Sequence, residues 1–140
     1  MTTPASSPSA PPGPAADADS EAHLAAMRRH ELVLQHCASC GRVRFPPMPA
    51  CPWCGGAVAE WRHVSGRGRI YSWVGVQRAL TPDFEGEVPY TIATVDLEEG
   101  ARVFGRLEGP EPSAPGGPVV ARFVDHPEWT ELRFVTHEHS

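Results

Sequence analysis

The feature that most constrains this chain is the spacing of its four cysteines, which form two C-x-x-C pairs, Cys37/Cys40 and Cys51/Cys54, ten residues apart. Each pair predicts a zinc knuckle, a tight turn that aims two sulfur atoms at one point. A glycine follows each pair and can take the positive φ that brings backbone N–H groups to the sulfurs. Four thiolates complete a tetrahedral Zn²⁺ site and leave no position for water. We therefore predict one structural Zn²⁺ per chain, in a rubredoxin-like ribbon over residues 32–63.

Three other interpretations of the four cysteines are less well supported than a zinc site. Disulfides are rare in intracellular proteins, and a thioredoxin-like redox pair needs a βαβ context that does not follow Cys51-Pro-Trp-Cys54. Iron can occupy the same four thiolates, as in rubredoxin, although zinc is favoured. His36 is the one alternative ligand beside the motif, and we expect it to stay a neighbour of the site.

The remaining chain predicts one helix and a small β-barrel. Residues 1–20 hold five of the sixteen prolines and no apolar period, which predicts a disordered tail; residues 137–140 form a second tail. Residues 21–31 predict a short helix capped by Ser20, which docks on its own core or on a partner. Strands are predicted over residues 69–78, 89–97, 102–107, 119–124 and 130–135. Five antiparallel strands over residues 64–136 suit an OB-type barrel, with an SH3-like barrel as the alternative.

Charge and hydropathy exclude some classes of function. The net charge is −5, and all twelve basic residues are arginine. This balance disfavours nonspecific nucleic-acid binding, which depends on phosphate neutralisation. The N-terminus lacks the basic start and apolar segment of a signal peptide, and no stretch is long and apolar enough to span a membrane. We expect a cytoplasmic protein that binds neither nucleic acid nor membrane.

The chain resembles the zinc-ribbon OB-fold proteins associated with acyl-CoA metabolism, long catalogued as a domain of unknown function. The resemblance covers residues 21–135, and its motifs are Leu32–Cys37, Gly41–Pro47, Cys51–Gly56, Ser65–Ser72, Pro89-Tyr90, Asp96–Gly100 and Gly105. It implies an N-terminal helix, a zinc ribbon and a C-terminal OB barrel. It also implies a hetero-oligomer with a thiolase-like enzyme or a MaoC-type hydratase that processes CoA thioesters, for example in lipid or steroid side-chain degradation.

Several residues are candidates for binding. Four arginines near the ribbon and the ribbon–barrel junction can meet the phosphates of CoA if they converge, or can balance the negative zinc centre and surface carboxylates: Arg42, Arg44, Arg67 and Arg69. Leu24 and Met27 on the helix, and Phe84 in the loop after the first barrel strand, are candidate interface residues. Phe45 and Trp53 are expected to form a small ribbon core. Trp61, Tyr71 and Trp73 are expected to pack the ribbon onto the barrel, or else to offer a stacking surface for adenine.

The sequence shows no catalytic motif of its own. It contains neither a G-x-S-x-G elbow nor a Gly-rich phosphate loop, and its only thiols are committed to the metal. The main hypothesis is a noncatalytic accessory subunit of a thiolase-superfamily enzyme, a thiolase or a retro-aldolase, that acts on an acyl-CoA. A nucleic-acid-binding module is the alternative, because zinc ribbons and OB barrels both serve that role.

Overall fold

The described part of the chain forms one helix and eight strands. A computed structural model describes residues 19–78 and 86–136; most of the predicted N-terminal tail, and the tail at 137–140, lie outside them. The elements are α1 (Glu21–Arg28), β1 (Val33–Cys37), β2 (Val43–Arg44), β3 (Ala59–His63), β4 (Arg67–Val76), β5 (Tyr90–Leu97), β6 (Arg102–Leu107), β7 (Pro118–Asp125) and β8 (Thr130–Thr136). In these described ranges, no helix has the length and apolar character needed to cross a membrane.

The first three strands form the ribbon sheet. They are antiparallel in the order β2-β1-β3, with Gln35 opposite both Arg44 and Trp61. Apart from Cys37, which pairs with Ala59, the knuckles lie outside this regular pairing. The first knuckle connects β1 to β2, and the second lies between β2 and β3.

Strands β4 to β8 close into a five-stranded barrel in the order β4-β5-β6-β8-β7. This order confirms the OB-type prediction. The β6–β8 pair is parallel, with Arg106 opposite Arg133, and all other barrel pairs are antiparallel; the expectation of five antiparallel strands was therefore wrong at this pair. The bulge in β4 lies between Ile70 and Ser72. Gly68 allows β4 to pack closely on β5, because a Cβ there would lie 2.7 Å from Val95 Cγ1.

One apolar core runs through the ribbon base and the barrel. Leu32, Leu34 and Val43 belong to the same buried cluster as the barrel residues Val95 and Phe134. Burial of a Leu or Phe side chain contributes roughly 1.5–3 kcal/mol. The shared core therefore fixes the base of the ribbon against the barrel.

Helix α1 docks on its own chain. It ends at Arg28, three residues before the predicted end. Ser20 makes no side-chain cap; its carbonyl instead accepts from the Leu24 N–H at 2.9 Å. Buried His23 donates from Nδ1 to the Val33 carbonyl at 3.1 Å, and the Arg28 guanidinium donates to the His126 carbonyl at 3.0 Å. These bonds tie the helix to the ribbon on one side and to the β7–β8 turn on the other.

Candidate metal centre and neighbouring surfaces

The two knuckles bring the four cysteine sulfurs together. Their ligand atoms all lie within 4.8 Å of one another. Cys37 Sγ lies 3.6 Å from Cys54 Sγ, and Cys40 Sγ lies 3.6 Å from Cys51 Sγ. Four sulfurs at 2.3 Å from one tetrahedral Zn²⁺ ion are about 3.8 Å apart. The spacing therefore fits a single zinc ion with four thiolate ligands.

Both knuckles have the same local backbone. The Gly41 N–H donates to the Cys37 carbonyl at 2.9 Å, and the Gly55 N–H donates to the Cys51 carbonyl at 2.8 Å. Both glycines have φ of +78°, and an added Cβ would meet nothing within 4 Å at either one. The positive φ, and not a lack of space, is therefore what calls for glycine here. The predicted donor to sulfur is present at the second knuckle, where the Gly56 N–H reaches Cys54 Sγ at 3.4 Å.

The electrostatics of the thiols also favour a bound dication. Backbone N–H groups of Cys40 and Ser39 lower the pKa of Cys37 to about 6. The N–H of Gly56 acts in the same direction on Cys54, but the neighbouring sulfurs and desolvation outweigh it and raise the pKa of Cys54 to about 11. Without metal, the four neighbouring thiols therefore do not all ionise at the same pH. A Zn²⁺ ion supplies the positive charge that keeps all four as thiolates.

His36 is not one of the clustered ligands. Its Nδ1 donates to the Leu34 carbonyl at 3.2 Å.

Cys37 and Cys51 are buried, whereas Cys40 and Cys54 are exposed. The four sulfurs fill the tetrahedron of zinc, which gives the centre a structural role.

The four candidate arginines do not converge on one site. Arg44 is 2% exposed, and it donates from Nε to Gln35 Oε1 at 3.1 Å and from Nη2 to the Met48 carbonyl at 3.2 Å. The prediction that Arg44 binds a phosphate is therefore wrong, because a buried guanidinium cannot reach a ligand at the surface. Arg42 lies over the Trp53 ring at 5.5 Å, beside the turn after β5.

Arg67 and Arg69 lie together at another surface. Both line a cavity of about 600 Å³ at the β4–β7 junction, with Asp96 and Glu98 among its other walls. Arg67 Nε lies 3.4 Å from Glu98 Oε1, and Arg69 donates to the Gly116 carbonyl at 2.9 Å. The phosphate contact of this pair stays a prediction, in a setting where carboxylates already reduce the positive charge.

Phe45 and Trp53 do not form the separate ribbon core that was predicted for them. Trp53 is 54% exposed, so its prediction as a core residue was wrong. Phe45 is partly buried and packs against the shared core. Its ring lies edge-on to His23 at 5.7 Å and to Phe104 at 5.4 Å. Phe45 therefore connects helix, ribbon and barrel, and does not form a separate core. Of the aromatics expected to pack the ribbon onto the barrel, Trp73 packs on the shared core, whereas Tyr71 is 52% exposed.

The three interface candidates have different outcomes. Met27 is 5% exposed and packs within its own chain, so it is not available to a partner and that prediction was wrong. Leu24 is half-buried and lines a groove with Trp129; its role stays a prediction. Phe84 lies outside the described residues.

Sequence reasoning missed a group of outward-facing residues on β4, β5 and β6. Val74 and Phe104 are each more than half exposed, and the Arg102 guanidinium lies 3.6 Å from the centre of the Tyr71 ring. The signal was present in the alternation of β6, Arg-Val-Phe-Gly-Arg-Leu, which places Arg102, Phe104 and Arg106 on one face.

Two family models match the chain. Residues 24–59 match the ChsH2 rubredoxin-like zinc ribbon domain, and residues 61–124 match the ChsH2 C-terminal OB-fold domain. A solved structure named Ltp2-ChsH2(DUF35) aldolase contains a similar chain, with a TM-score of 0.77 and 35% identity. The alignment covers 89% of this chain and 98% of that one.

The curated relatives are named either as subunits of acyl-CoA enzymes or as scaffold proteins. The probable enoyl-CoA hydratase alpha subunit of Thermomonospora curvata is 36% identical over 85% of this chain and 38% of its own length. A DUF35 domain-containing scaffold protein of Methanocaldococcus jannaschii is 39% identical over 56% of each chain. The benzoylsuccinyl-CoA thiolase subunit BbsA of Thauera aromatica is 36% identical over 57% of this chain and 51% of its own length. The chain thus spans between about two fifths and just over half of these proteins.

Proposed function

Because this chain belongs to the ChsH2-type family of zinc-ribbon OB-fold proteins, we propose that it is a noncatalytic accessory subunit of a thiolase-superfamily enzyme that acts on an acyl-CoA. The partner supplies the nucleophile and the base. This chain supplies a rigid body whose surfaces brace the complex.

One observation carries the proposal: the described thiols are gathered in a closed metal centre, in a fold shared with a chain of an aldolase complex. A thiolate bound to structural zinc is a ligand and is not free to attack an acyl-CoA. Relatives named as a thiolase subunit and as a scaffold protein support the same role. A relative named as a hydratase subunit makes a hydratase the second class of partner.

Co-purification from the native host tests the proposal. We expect the tagged chain to retain a thiolase-like enzyme or a hydratase subunit in a fixed ratio. We also expect that enzyme to lose activity or solubility when produced without this chain. Full activity of the enzyme alone, together with no retained acyl-CoA enzyme, would contradict the proposal. Turnover of an acyl-CoA by the purified chain alone would contradict its noncatalytic part.

We further propose that the cavity between β4 and β7 contributes to CoA binding in the complex. Arg67 and Arg69 present guanidinium groups at its rim, and Leu97 and Val119 give it apolar walls. A guanidinium binds a phosphate by two parallel hydrogen bonds, and an apolar wall suits the adenine ring or the acyl chain.

The test compares Arg67→Ala and Arg69→Ala with Arg62→Ala in the complex. Arg62 is the matched control, because it is an exposed arginine of the ribbon that pairs with Glu60. We expect the first two variants to raise the Kd of CoA by about tenfold each, since a charged hydrogen bond contributes about 1.5–3 kcal/mol. Equal affinity in all three variants would refute the contact and leave the accessory role intact.

A further inference from the structure

The outer face of β4, β5 and β6 has an apolar centre. We define the exposed sheet face as the outward side chains Tyr71, Val74, Ile92, Thr94 and Phe104. Val74 is paired with Ile92, and Thr94 with Phe104, on neighbouring strands. Tyr71, Val74 and Phe104 are 52%, 58% and 56% exposed. Exposed Ser72, which pairs with Thr94, lies on the same face. Several large apolar side chains exposed on one face are a mark of an interaction site.

Phe104 is held in place by an aromatic contact with the ribbon. Its ring packs edge-on against Phe45, 5.4 Å away, and Phe45 packs in turn against buried His23 at 5.7 Å. The aromatic row therefore runs from the interior to the surface. A side chain fixed in this way loses little conformational freedom on binding, which favours a strong contact.

Two arginine–carboxylate pairs flank the apolar centre. Arg102 lies 2.6 Å from Asp96 Oδ1, and Arg106 lies 2.7 Å from Glu87 Oε1. Each guanidinium also lies over a tyrosine ring, Arg102 over Tyr71 at 3.6 Å and Arg106 over Tyr90 at 4.5 Å. The rim is thus electrically balanced within the chain. Aromatic and arginine side chains around an apolar centre are the typical composition of a protein–protein interface.

These contacts select the class of ligand. A nucleic acid needs cations to neutralise its phosphates, but Arg102 and Arg106 already pair with carboxylates. A second copy would bring together two chains of net charge −5, which opposes association.

We propose that the exposed sheet face binds an apolar, weakly charged surface of the acyl-CoA-processing partner enzyme. This inference rests on the proposed function and adds the location and chemistry of the contact. Because the rim charges are paired internally, apolar burial is the main source of affinity, and the affinity depends little on salt.

Matched valine substitutions test the proposal with the enzyme that co-purifies with the wild-type chain. Val74→Glu places a charge in the exposed sheet face, whereas Val58→Glu places the same charge on the ribbon, where Val58 is 67% exposed. Phe104→Glu is the second variant in the face. We expect Val74→Glu and Phe104→Glu to raise the Kd on the order of 30-fold, and Val58→Glu to change it less than about twofold. Zinc content and circular dichroism verify that each variant is folded.

The outcomes separate this proposal from the proposed function. We expect the wild-type Kd to change less than about threefold between roughly 50 and 500 mM NaCl. Wild-type affinity in both face variants overturns the proposed face and leaves the accessory role standing. A wild-type chain that retains no acyl-CoA enzyme overturns both. A homodimer in sedimentation that Phe104→Glu dissociates assigns the face to a second copy, and a salt-dependent shift of single-stranded DNA assigns it to nucleic acid; either result overturns the proposal.

Discussion

The tip of the ribbon and the barrel are ordered by different forces. Between residues 37 and 58, the buried residues are Cys37, Val43, Arg44 and Cys51: two metal ligands, one charged side chain and one valine. The barrel buries a set of large apolar side chains, among them Val95, Val103 and Phe134 at 0% exposure. A segment with so little apolar burial cannot offset its loss of conformational entropy without the metal. The comparison therefore predicts that one molecule contains two regions with separable stability.

Removal of zinc should have the largest effect. Structural zinc sites contribute apparent binding free energies of about 10–16 kcal/mol. We expect chelation, or Cys40→Ser, to abolish hydrogen-exchange protection of the Gly41 and Gly55 amides while β5 and β6 stay protected. Ser39→Ala is the control, because Ser39 is exposed in the same knuckle and is not a ligand. Equal loss of protection in ribbon and barrel would show that the two regions are not separable.

Truncation in the barrel should produce the opposite pattern. Phe134→Ala removes a fully buried ring and should lower the free energy of unfolding by about 3–5 kcal/mol. Phe104→Ala is the matched control at 56% exposure and should cost less than about 1.5 kcal/mol. Denaturant unfolding gives both values. We expect the Phe134→Ala chain to keep one zinc per molecule in native buffer, and loss of the metal would argue against separate stability.

Arg44 tests the polar contribution to the ribbon. Arg44→Met keeps the length of the side chain but removes its donors to Gln35 and the Met48 carbonyl. We expect the free energy of unfolding to fall by about 1–3 kcal/mol. The fall is partly offset, because the substitution also removes the buried Arg44 Nη1, which has no hydrogen-bond partner. Arg62→Met is the control and should stay within about 0.5 kcal/mol, since the Arg62–Glu60 pair is exposed. A neutral or stabilising Arg44→Met would mean that apolar packing outweighs the lost bonds.

The smallest expected effect is a pH dependence of stability that comes from His23, in the first turn of α1. Burial lowers the pKa of His23, although its bond to the Val33 carbonyl acts in the opposite direction. The unfolded chain therefore binds a proton more readily than the native one, and stability falls as the pH drops below about 6.5. His23→Gln should remove this part of the pH dependence. Thermal unfolding of both proteins between about pH 5 and 7.5 measures it, and parallel profiles would contradict it.

Local patterns predicted most of the fold and the metal centre. The cysteine spacing and the two glycines fix the knuckles within a few residues of chain, so no long-range information was needed. The barrel strands were found for the same reason, because alternation and turn residues are local. The helix was predicted three residues too long, since its end depends on docking against β1 and β8.

The surfaces were harder to predict, because exposure is decided by tertiary contacts. In β5, Thr91 is buried and Ile92 is only half-buried, the reverse of what hydropathy suggests. Arg44 resembles a surface arginine in sequence but points into the ribbon. Trp53 resembles a core residue, yet it lies exposed at a knuckle whose interior is taken up by the cysteine sulfur atoms.

The bonds from Arg28 to the β7–β8 turn have a consequence for the order of events during synthesis. Arg28 and the His126 carbonyl are 98 residues apart in sequence, so the contact site of the helix on the β7–β8 turn is made long after the helix itself. Both knuckles are translated much earlier and can capture zinc while the barrel is incomplete. We therefore expect the nascent chain to load its metal first, to close the barrel next, and to dock helix α1 on the β7–β8 turn last.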